Sequence, residues 1–164
     1  VGEAEPMAEK RKYLIAMPDM AAFTRAHRAA AIDMTQTYLV MTNPNIERRV
    51  RRQGNGAETL YFYTEKHLMP DGEKWDTERP ISKKQYEKYL LERDTALSPV
   101  HKTKYRFIFA DRRCEIDVYP FSVEKAVLFQ YGGEAPLPEE ITVLEEVTAQ
   151  PAYKNRALAA SQKL

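Results

Sequence analysis

Positive charge recurs at every second residue in one segment of the chain. Lys102, Lys104 and Arg106 alternate there with uncharged side chains. Successive side chains of a β-strand point to opposite faces, so a strand in this segment would present three cations on one face. Lysine offers a compact point charge, and arginine offers a planar fork of donors that suits phosphate oxygens. The spacing therefore predicts a strand whose charged face binds an anion.

Other segments of the chain show the same spacing of two. The pairs are Arg49 and Arg51, Lys10 and Lys12, Thr64 and Lys66, and Glu115 and Asp117. Within one strand the charges are mostly of one sign, whereas a face that only contacts solvent usually mixes both signs. A half-exposed sheet with its polar face outward is the alternative for any single strand. Taken together, the strands favour a closed barrel with a charged interior, which would concentrate a positive potential on an anionic ligand.

Alternating segments between turn residues predict the strands that must position these charges. They are residues 9–16, 35–41, 46–53, 58–66, 73–79, 100–110, 113–119 and 125–131, with a short further strand at 141–144. Residues 54–56, with the sequence Gly-Asn-Gly, are a hairpin signal between two of them. The pattern predicts an α+β fold in one domain over residues 1–164, a closed antiparallel eight-stranded β-barrel with helices packed outside.

Three helices are predicted between these strands, over residues 19–31, 82–93 and 151–163. Asp19 is placed to cap the first helix. Ser82 and Gln85 have the spacing of a capping box at the start of the second.

Composition narrows the classes of function. The chain has 25 lysines and arginines against 24 acidic residues, and a net charge of +1 argues against a general nucleic-acid binder. Cys114 is the single cysteine, which favours a reducing compartment such as the cytoplasm. No apolar run approaches the roughly 18 residues of a membrane span. The three histidines lack the spacing of zinc ligands.

Eight short motifs, in order along nearly the whole chain, resemble the CYTH, or triphosphate tunnel, superfamily. Residues 11–15 are similar to the end of its opening Glu-x-Glu-x-Lys strand, 36–39 to its second strand, 47–51 to its Arg-x-Arg strand, 64–66 to its Thr-x-Lys, 74–78 to its central acidic strand, 102–105 to its Lys-Thr-Arg-Tyr, 115–119 to its Glu-x-Asp-x-Phe and 153–158 to its closing helix.

The resemblance implies a closed tunnel of eight antiparallel strands. Members of the superfamily hydrolyse inorganic triphosphate or thiamine triphosphate, or cyclise ATP, with glutamate pairs that hold Mg²⁺ or Mn²⁺. By the same resemblance, basic side chains contact the phosphates. These would be Lys12, Arg49, Arg51, Lys66, Lys102, Lys104, Arg106 and Lys154.

The sequence departs from the superfamily at the metal-binding positions. Counting from Lys12, the opening glutamates fall on Ala8 and Lys10, and counting from Asp117, the late pair falls on Gln130 and Gly132. Hard divalent cations prefer anionic oxygen ligands. The carboxylates that remain and could hold a weakly bound ion are Asp117, Glu115 and Glu78, with Asp76 beside them.

We interpret Lys10 as a fixed positive charge in place of the metal, which would make Lys10 a further phosphate contact and binding metal-independent. A local bulge that returns Glu9 to the charged face is the rival hypothesis.

The sequence thus predicts a CYTH-like domain that binds triphosphate, a nucleotide such as ATP or GTP, or a phosphorylated headgroup, with little or no hydrolysis. The alternatives are a metal-dependent triphosphatase that uses Asp117, Glu115 and Glu78, and a protein-interaction scaffold. By family analogy, a nucleotide-kinase-like ATPase domain could be its fused or separate partner.

Overall fold

Nine strands and three α-helices make up the computed structural model, which describes residues 10–54 and 56–164. The strands are β1 Arg11–Ala16, β2 Ala30–Tyr38, β3 Ile46–Gln53, β4 Leu60–Leu68, β5 Lys74–Ile81, β6 Val100–Phe109, β7 Arg112–Val118, β8 Lys125–Gln130 and β9 Val143–Glu146. The helices are α1 Met20–His27, α2 Lys83–Leu90 and α3 Asn155–Ser161, and short 3-10 turns occupy Gly56–Glu58 and Pro151–Tyr153. The α+β class predicted from the sequence is confirmed.

The strands pair antiparallel in the order β5-β4-β3-β2-β6-β7-β8-β1-β9. Strands β5 and β9 stand at the two ends of this order. Among the residues the structure describes, the hydrogen-bonded sheet is therefore open. Its nine strands correspond to the eight predicted for the barrel and to the short further strand predicted at 141–144, which overlaps β9. Closure into a barrel is not part of the observed pairing.

The chain divides into two compact units, and the described residues of the first are 34–54 and 56–100. Its core contains Leu39, Val50, Tyr63 and Tyr86. Tyr86 belongs to α2, so this helix covers the apolar face of β3 and β4. The predicted capping box is confirmed, since the Ser82 side chain accepts from the Gln85 backbone N–H and the Gln85 side chain accepts from the Ser82 N–H.

The second unit contains the described residues 10–33 and 101–164. Its core is formed by the apolar face of β1, β6, β7 and β8 together with Phe23 of α1, and its buried members include Tyr13, Ile15, Ile116 and Leu128. Because apolar side chains fill one face of these strands, the polar side chains that alternate with them lie on the other face.

Helix α1 ends earlier than the sequence predicts. Asp19 caps it as predicted, with its side chain accepting from the Ala22 backbone N–H. Arg28 then adopts a left-handed conformation, with φ 52°, which ends the helix. Ala30 and Ala31, predicted as helical, instead begin β2. Strand pairing in the folded chain thus overrides the high helix propensity of alanine.

Some predictions fall on residues that the structure does not describe. Ala8 and Glu9, including the proposed bulge at Glu9, lie outside the described residues, as does Asn55 of the predicted hairpin turn. No helix in the described part of the chain has the length and hydrophobicity needed to cross a bilayer.

Candidate functional site

Three buried lysines lie on the polar face of the second unit. Lys12 of β1 and Lys102 and Lys104 of β6 expose only 7%, 5% and 9% of their surface. Strand β7 supplies Asp117 and Glu115, which pair in register with Lys104 and Arg106. Directly paired residues share a face of the sheet. We call this group, with Arg106, the lysine cluster.

Each carboxylate of the lysine cluster contacts two cations. Asp117, which is fully buried, lies 2.6 Å from Lys102 Nζ through Oδ2 and 2.9 Å from Lys104 Nζ through Oδ1. Glu115 lies 3.0 Å from Lys104 Nζ and 3.0 Å from Arg106 Nε. Buried lysines and carboxylates need such partners, because leaving a charge unpaired away from water is strongly unfavourable.

These contacts determine the charge of the two carboxylates. Burial alone would raise the pKa of Asp117, but the ammonium groups of Lys102 and Lys104 outweigh it and hold this pKa below its usual value. Burial likewise opposes ionisation of Glu115, and Lys104 outweighs it, so the pKa of Glu115 is also lowered. Both side chains are therefore carboxylates at neutral pH.

Strand β8 contributes aromatic side chains to this face. In register, Phe129 lies opposite both Lys12 of β1 and Glu115 of β7. The residue two positions further along, Tyr131, donates its hydroxyl to Glu115 Oε1 at 3.0 Å. Burial and the Glu115 carboxylate raise the pKa of Tyr131, so its hydroxyl remains a donor. These aromatic residues were not predicted as part of the site.

The register corrects the sequence count that assigned the late glutamate positions to Gln130 and Gly132. Gln130 pairs with Cys114 of β7, a residue of the apolar core, and its Nε2 donates to the Ala135 carbonyl oxygen. Gln130 therefore lies on the apolar face, and Phe129 and Tyr131 hold the positions on the polar face. The count was wrong because the loop between β7 and β8 does not preserve the alternation of faces. Neither Gln130 with Gly132 nor Phe129 with Tyr131 supplies a carboxylate.

Two other lysines predicted to contact phosphate, Lys10 and Lys154, also belong to the second unit. Lys10 Nζ lies 5.4 Å from the centroid of the Phe129 ring. Lys12 Nζ donates to the Tyr153 carbonyl oxygen at 3.0 Å, which brings the C-terminal segment to the lysine cluster. Lys154, the next residue, is exposed at the N-cap of α3.

The first unit has a charged group of its own, which we call the arginine cluster. Its members lie on β3, β4 and β5 and are Arg49, Arg51, Lys66, Glu47, Asp76 and Glu78. Arg51 Nη1 lies 2.6 Å from Glu78 Oε1, and the Arg51 guanidinium lies 4.5 Å from the centroid of the Phe62 ring. The six members comprise three cations and three carboxylates, so the group is close to neutral.

Two members of the arginine cluster each contain a buried polar atom whose hydrogen-bonding capacity is unused within the described residues. Arg49 Nε and Asp76 Oδ1 are buried and have no hydrogen-bond partner among the described residues. Burial, and after it the neighbouring Arg49, lower the pKa of Lys66. A bound anion would offer acceptors to Arg49 and would favour the charged form of Lys66.

Arg48 lies on the opposite face of β3, as the alternation of Arg48, Arg49 and Val50 predicts. It contacts the Tyr63 hydroxyl at 3.0 Å, Glu92 at 3.0 Å and the Val40 carbonyl oxygen at 3.1 Å. These bonds attach the chain around α2 to the sheet. Arg48 is therefore a structural residue of the first unit.

The remaining carboxylates do not fit a divalent metal as they stand. Within residues 10–54 and 56–164, no three His, Cys, Asp or Glu side chains converge in a way that could hold an ion. Asp117 and Glu115 each form ion pairs with two cations, and Glu78 forms an ion pair with Arg51. A metal ion would have to displace the ammonium or guanidinium group paired with each carboxylate, and it would then be repelled by the cations nearby.

Comparison with solved structures identifies the class of this fold. The crystal structure of the hypothetical protein NE1496 is 29% identical and covers 92% of this chain and 96% of that one, with a TM-score of 0.61. The crystal structure of the inorganic triphosphatase NE1496 is 27% identical and covers 98% and 96%, again with a TM-score of 0.61.

A more distant structure, the PH1819 protein from Pyrococcus horikoshii OT3, is 13% identical over 77% of this chain and 79% of that one, with a TM-score of 0.52, and shows a likeness in fold alone. No family model and no curated protein matches the chain. The likeness to NE1496 extends over nearly the whole of both chains and agrees with the eight ordered motifs. The chain is a CYTH-like domain.

Proposed function

We propose that this CYTH-like domain binds triphosphate, a nucleotide such as ATP or GTP, or a phosphorylated headgroup, with little or no hydrolysis. The observation that carries the proposal is the charge balance of the lysine cluster. Among the described residues, Lys12, Lys102, Lys104 and Arg106 outnumber Asp117 and Glu115 by two charges; the three lysines are buried, whereas the Arg106 side chain is 47% exposed. A net positive charge on one face of a sheet favours a polyanionic ligand.

The arginine cluster adds a second group of donors to the proposal. Arg49 and Arg51 present guanidinium groups, whose planar forks of N–H donors match the spacing of phosphate oxygens. We expect Arg49 and Arg51 to contribute to affinity for the anion. NE1496 is an inorganic triphosphatase, and this activity supports a triphosphate as the first ligand to test.

Little or no hydrolysis is proposed because phosphoryl transfer depends on stabilising the charge of the transferred group, a task that metal ions usually share. Here Asp117 and Glu115 serve as counter-ions of lysine and arginine. Metal-independent binding is therefore part of the proposal, with Lys10 among the phosphate contacts.

Calorimetric titration with inorganic triphosphate and with ATP tests the proposal. One series contains EDTA and the other Mg²⁺ or Mn²⁺, and phosphate release is assayed in the same samples. Binding in EDTA without release of phosphate is the expected result. The absence of binding in both series would contradict the proposal and favour the protein-interaction scaffold.

A metal-dependent triphosphatase is the second candidate, and the activity named for NE1496 favours it. In that case Asp117, Glu115 and Glu78 would have to leave their cationic partners to hold the metal. Binding and phosphate release that appear only with Mg²⁺ or Mn²⁺ would establish this candidate instead. A cytoplasmic location and an ATPase domain as partner remain proposals from the sequence.

A further inference from the structure

Three ammonium groups surround one aromatic ring in the second unit. The Nζ atoms of Lys10, Lys12 and Lys104 lie 5.4, 5.3 and 5.1 Å from the centroid of the Phe129 ring. Phe129 is buried, with 7% of its surface exposed, and its ring stacks at 6.5 Å on that of Tyr131. Lys104 belongs to β6, Lys12 to β1, and Lys10 directly precedes β1. The Phe129 ring is a common neighbour of all three.

An aromatic ring can hold cations together without neutralising them. Its face carries a partial negative potential that attracts an ammonium within about 6 Å. A carboxylate at the same position would cancel one full positive charge, whereas the ring cancels none. The ring therefore offsets part of the repulsion among the lysines without adding a negative charge of its own.

The charge around Phe129 is strongly positive. Counting Lys10 with the lysine cluster, the described residues here carry five cations, and each of the two carboxylates is already bonded to two of them. A divalent cation that approached would meet repulsion from the ammonium groups, and residues 10–54 and 56–164 offer it no group of carboxylates that could hold it.

We propose that Phe129 determines the specificity of this site by holding three lysine ammonium groups where they bind a polyphosphate in its metal-free form. Divalent cations then act as antagonists, because they complex the ligand. The Mg²⁺ complex of a polyphosphate has a smaller negative charge, and its oxygens are occupied by the metal. This inference rests on the proposed function, since it needs a polyphosphate to bind.

The first test is a titration of the protein with inorganic triphosphate at constant ionic strength, in EDTA and then with increasing Mg²⁺. Apparent affinity should follow the concentration of uncomplexed triphosphate, so that it weakens about tenfold when nine tenths of the ligand is complexed. Equal affinity at all Mg²⁺ concentrations, or tighter binding with Mg²⁺, would overturn the inference while leaving the proposed function intact. No binding in either condition would instead remove the proposed function.

The second test replaces the ring. Phe129→Leu keeps an apolar side chain but removes the aromatic face from three ammonium groups, and we expect triphosphate binding in EDTA to weaken about fivefold or more. Phe109→Leu is the matched control, because Phe109 packs near His27 and the apolar core of the same unit. Equal affinities for wild type and Phe129→Leu would contradict the role of the ring.

A third variant should change the sign of the metal effect. Phe129→Glu with Tyr131→Glu introduces two carboxylates among the lysines, which should weaken binding in EDTA and make Mg²⁺ promote binding. Tight binding in EDTA by a folded double variant would overturn the inference. Thermal unfolding of each variant shows whether it folds, and the Phe129→Leu result decides the question if the double variant does not.

Discussion

Replacement of Asp117 by asparagine should cost about 3 kcal/mol of folding free energy. Asp117 has no exposed surface and lies 2.6 and 2.9 Å from the ammonium groups of Lys102 and Lys104. Removing one partner of a buried ion pair destabilises a protein by about 3–5 kcal/mol, because the remaining charge is left without its counter-ion. We expect the lower end of this range, since Lys104 retains Glu115 at 3.0 Å and Lys102 retains Asn155 at 3.5 Å.

Urea denaturation of wild type and Asp117→Asn at neutral pH measures this loss. Asp33→Asn is the control, because Asp33 is exposed in β2 and accepts a hydrogen bond from Thr103, which an amide oxygen also accepts. The control should change the free energy of unfolding by less than about 0.5 kcal/mol.

Triphosphate should restore more stability to Asp117→Asn than to wild type. The variant has an additional uncompensated positive charge, which a bound polyanion would offset. A loss below about 1 kcal/mol in the variant would refute the assignment of Asp117 as the central counter-ion of the lysine cluster. An equal effect of triphosphate on both proteins would refute its electrostatic connection with the ligand.

Three other measurements test the charges and the caps. The folded-state pKa values of Asp117 and Glu115 are lowered, so their contribution to stability is complete above the ordinary carboxylate pKa and is lost as the pH falls through the lowered values. The free energy of unfolding, measured from about pH 6 to about pH 2, should therefore fall less steeply in Asp117→Asn than in wild type. Arg51→Ala should weaken triphosphate binding about tenfold in calorimetry, whereas Arg48→Ala should lower stability and leave affinity unchanged, and equal affinity losses would contradict the assigned faces. Ser82→Ala should lower the urea-unfolding free energy by about 1 kcal/mol through loss of the capping box, and no change would show that the cap contributes nothing.

Period-two alternation predicted much of the fold because it is a local property of each strand. The bounds of β3, residues 46–53, agree with the sequence prediction, and so does the start of β6 at Val100. The end of α1 could not be predicted, because it depends on the left-handed conformation of Arg28 and on the pairing of β2. Barrel closure likewise depends on contacts between distant segments, and the observed strand order does not contain it.

Alternation also grouped Lys102 and Lys104 on one face and Asp117 and Glu115 on the face that meets them, as the register confirms. Alternation within β7 does not determine which residues of β8 face the same way, because the loop between the two strands does not alternate. Gln130 was therefore assigned to the wrong face. Phe129 was missed because an apolar residue in an apolar strand is indistinguishable from core in the sequence. Its pairing with Lys12 and Glu115 places it on the polar face. Which of these side chains contact phosphate stays a prediction.

Among the described residues, β5 is the last strand at one end of the sheet, and this position bears on aggregation. A strand with an unpaired side can template the strands of other molecules and lead to aggregation. Two exposed apolar side chains, Trp75 and Leu68, lie at this end of the sheet. Pro80 within β5 lacks a backbone donor, and the charged Asp76 and Glu78 are spaced along the same strand. The residues that shape the arginine cluster thus also make β5 a poor template for fibril growth.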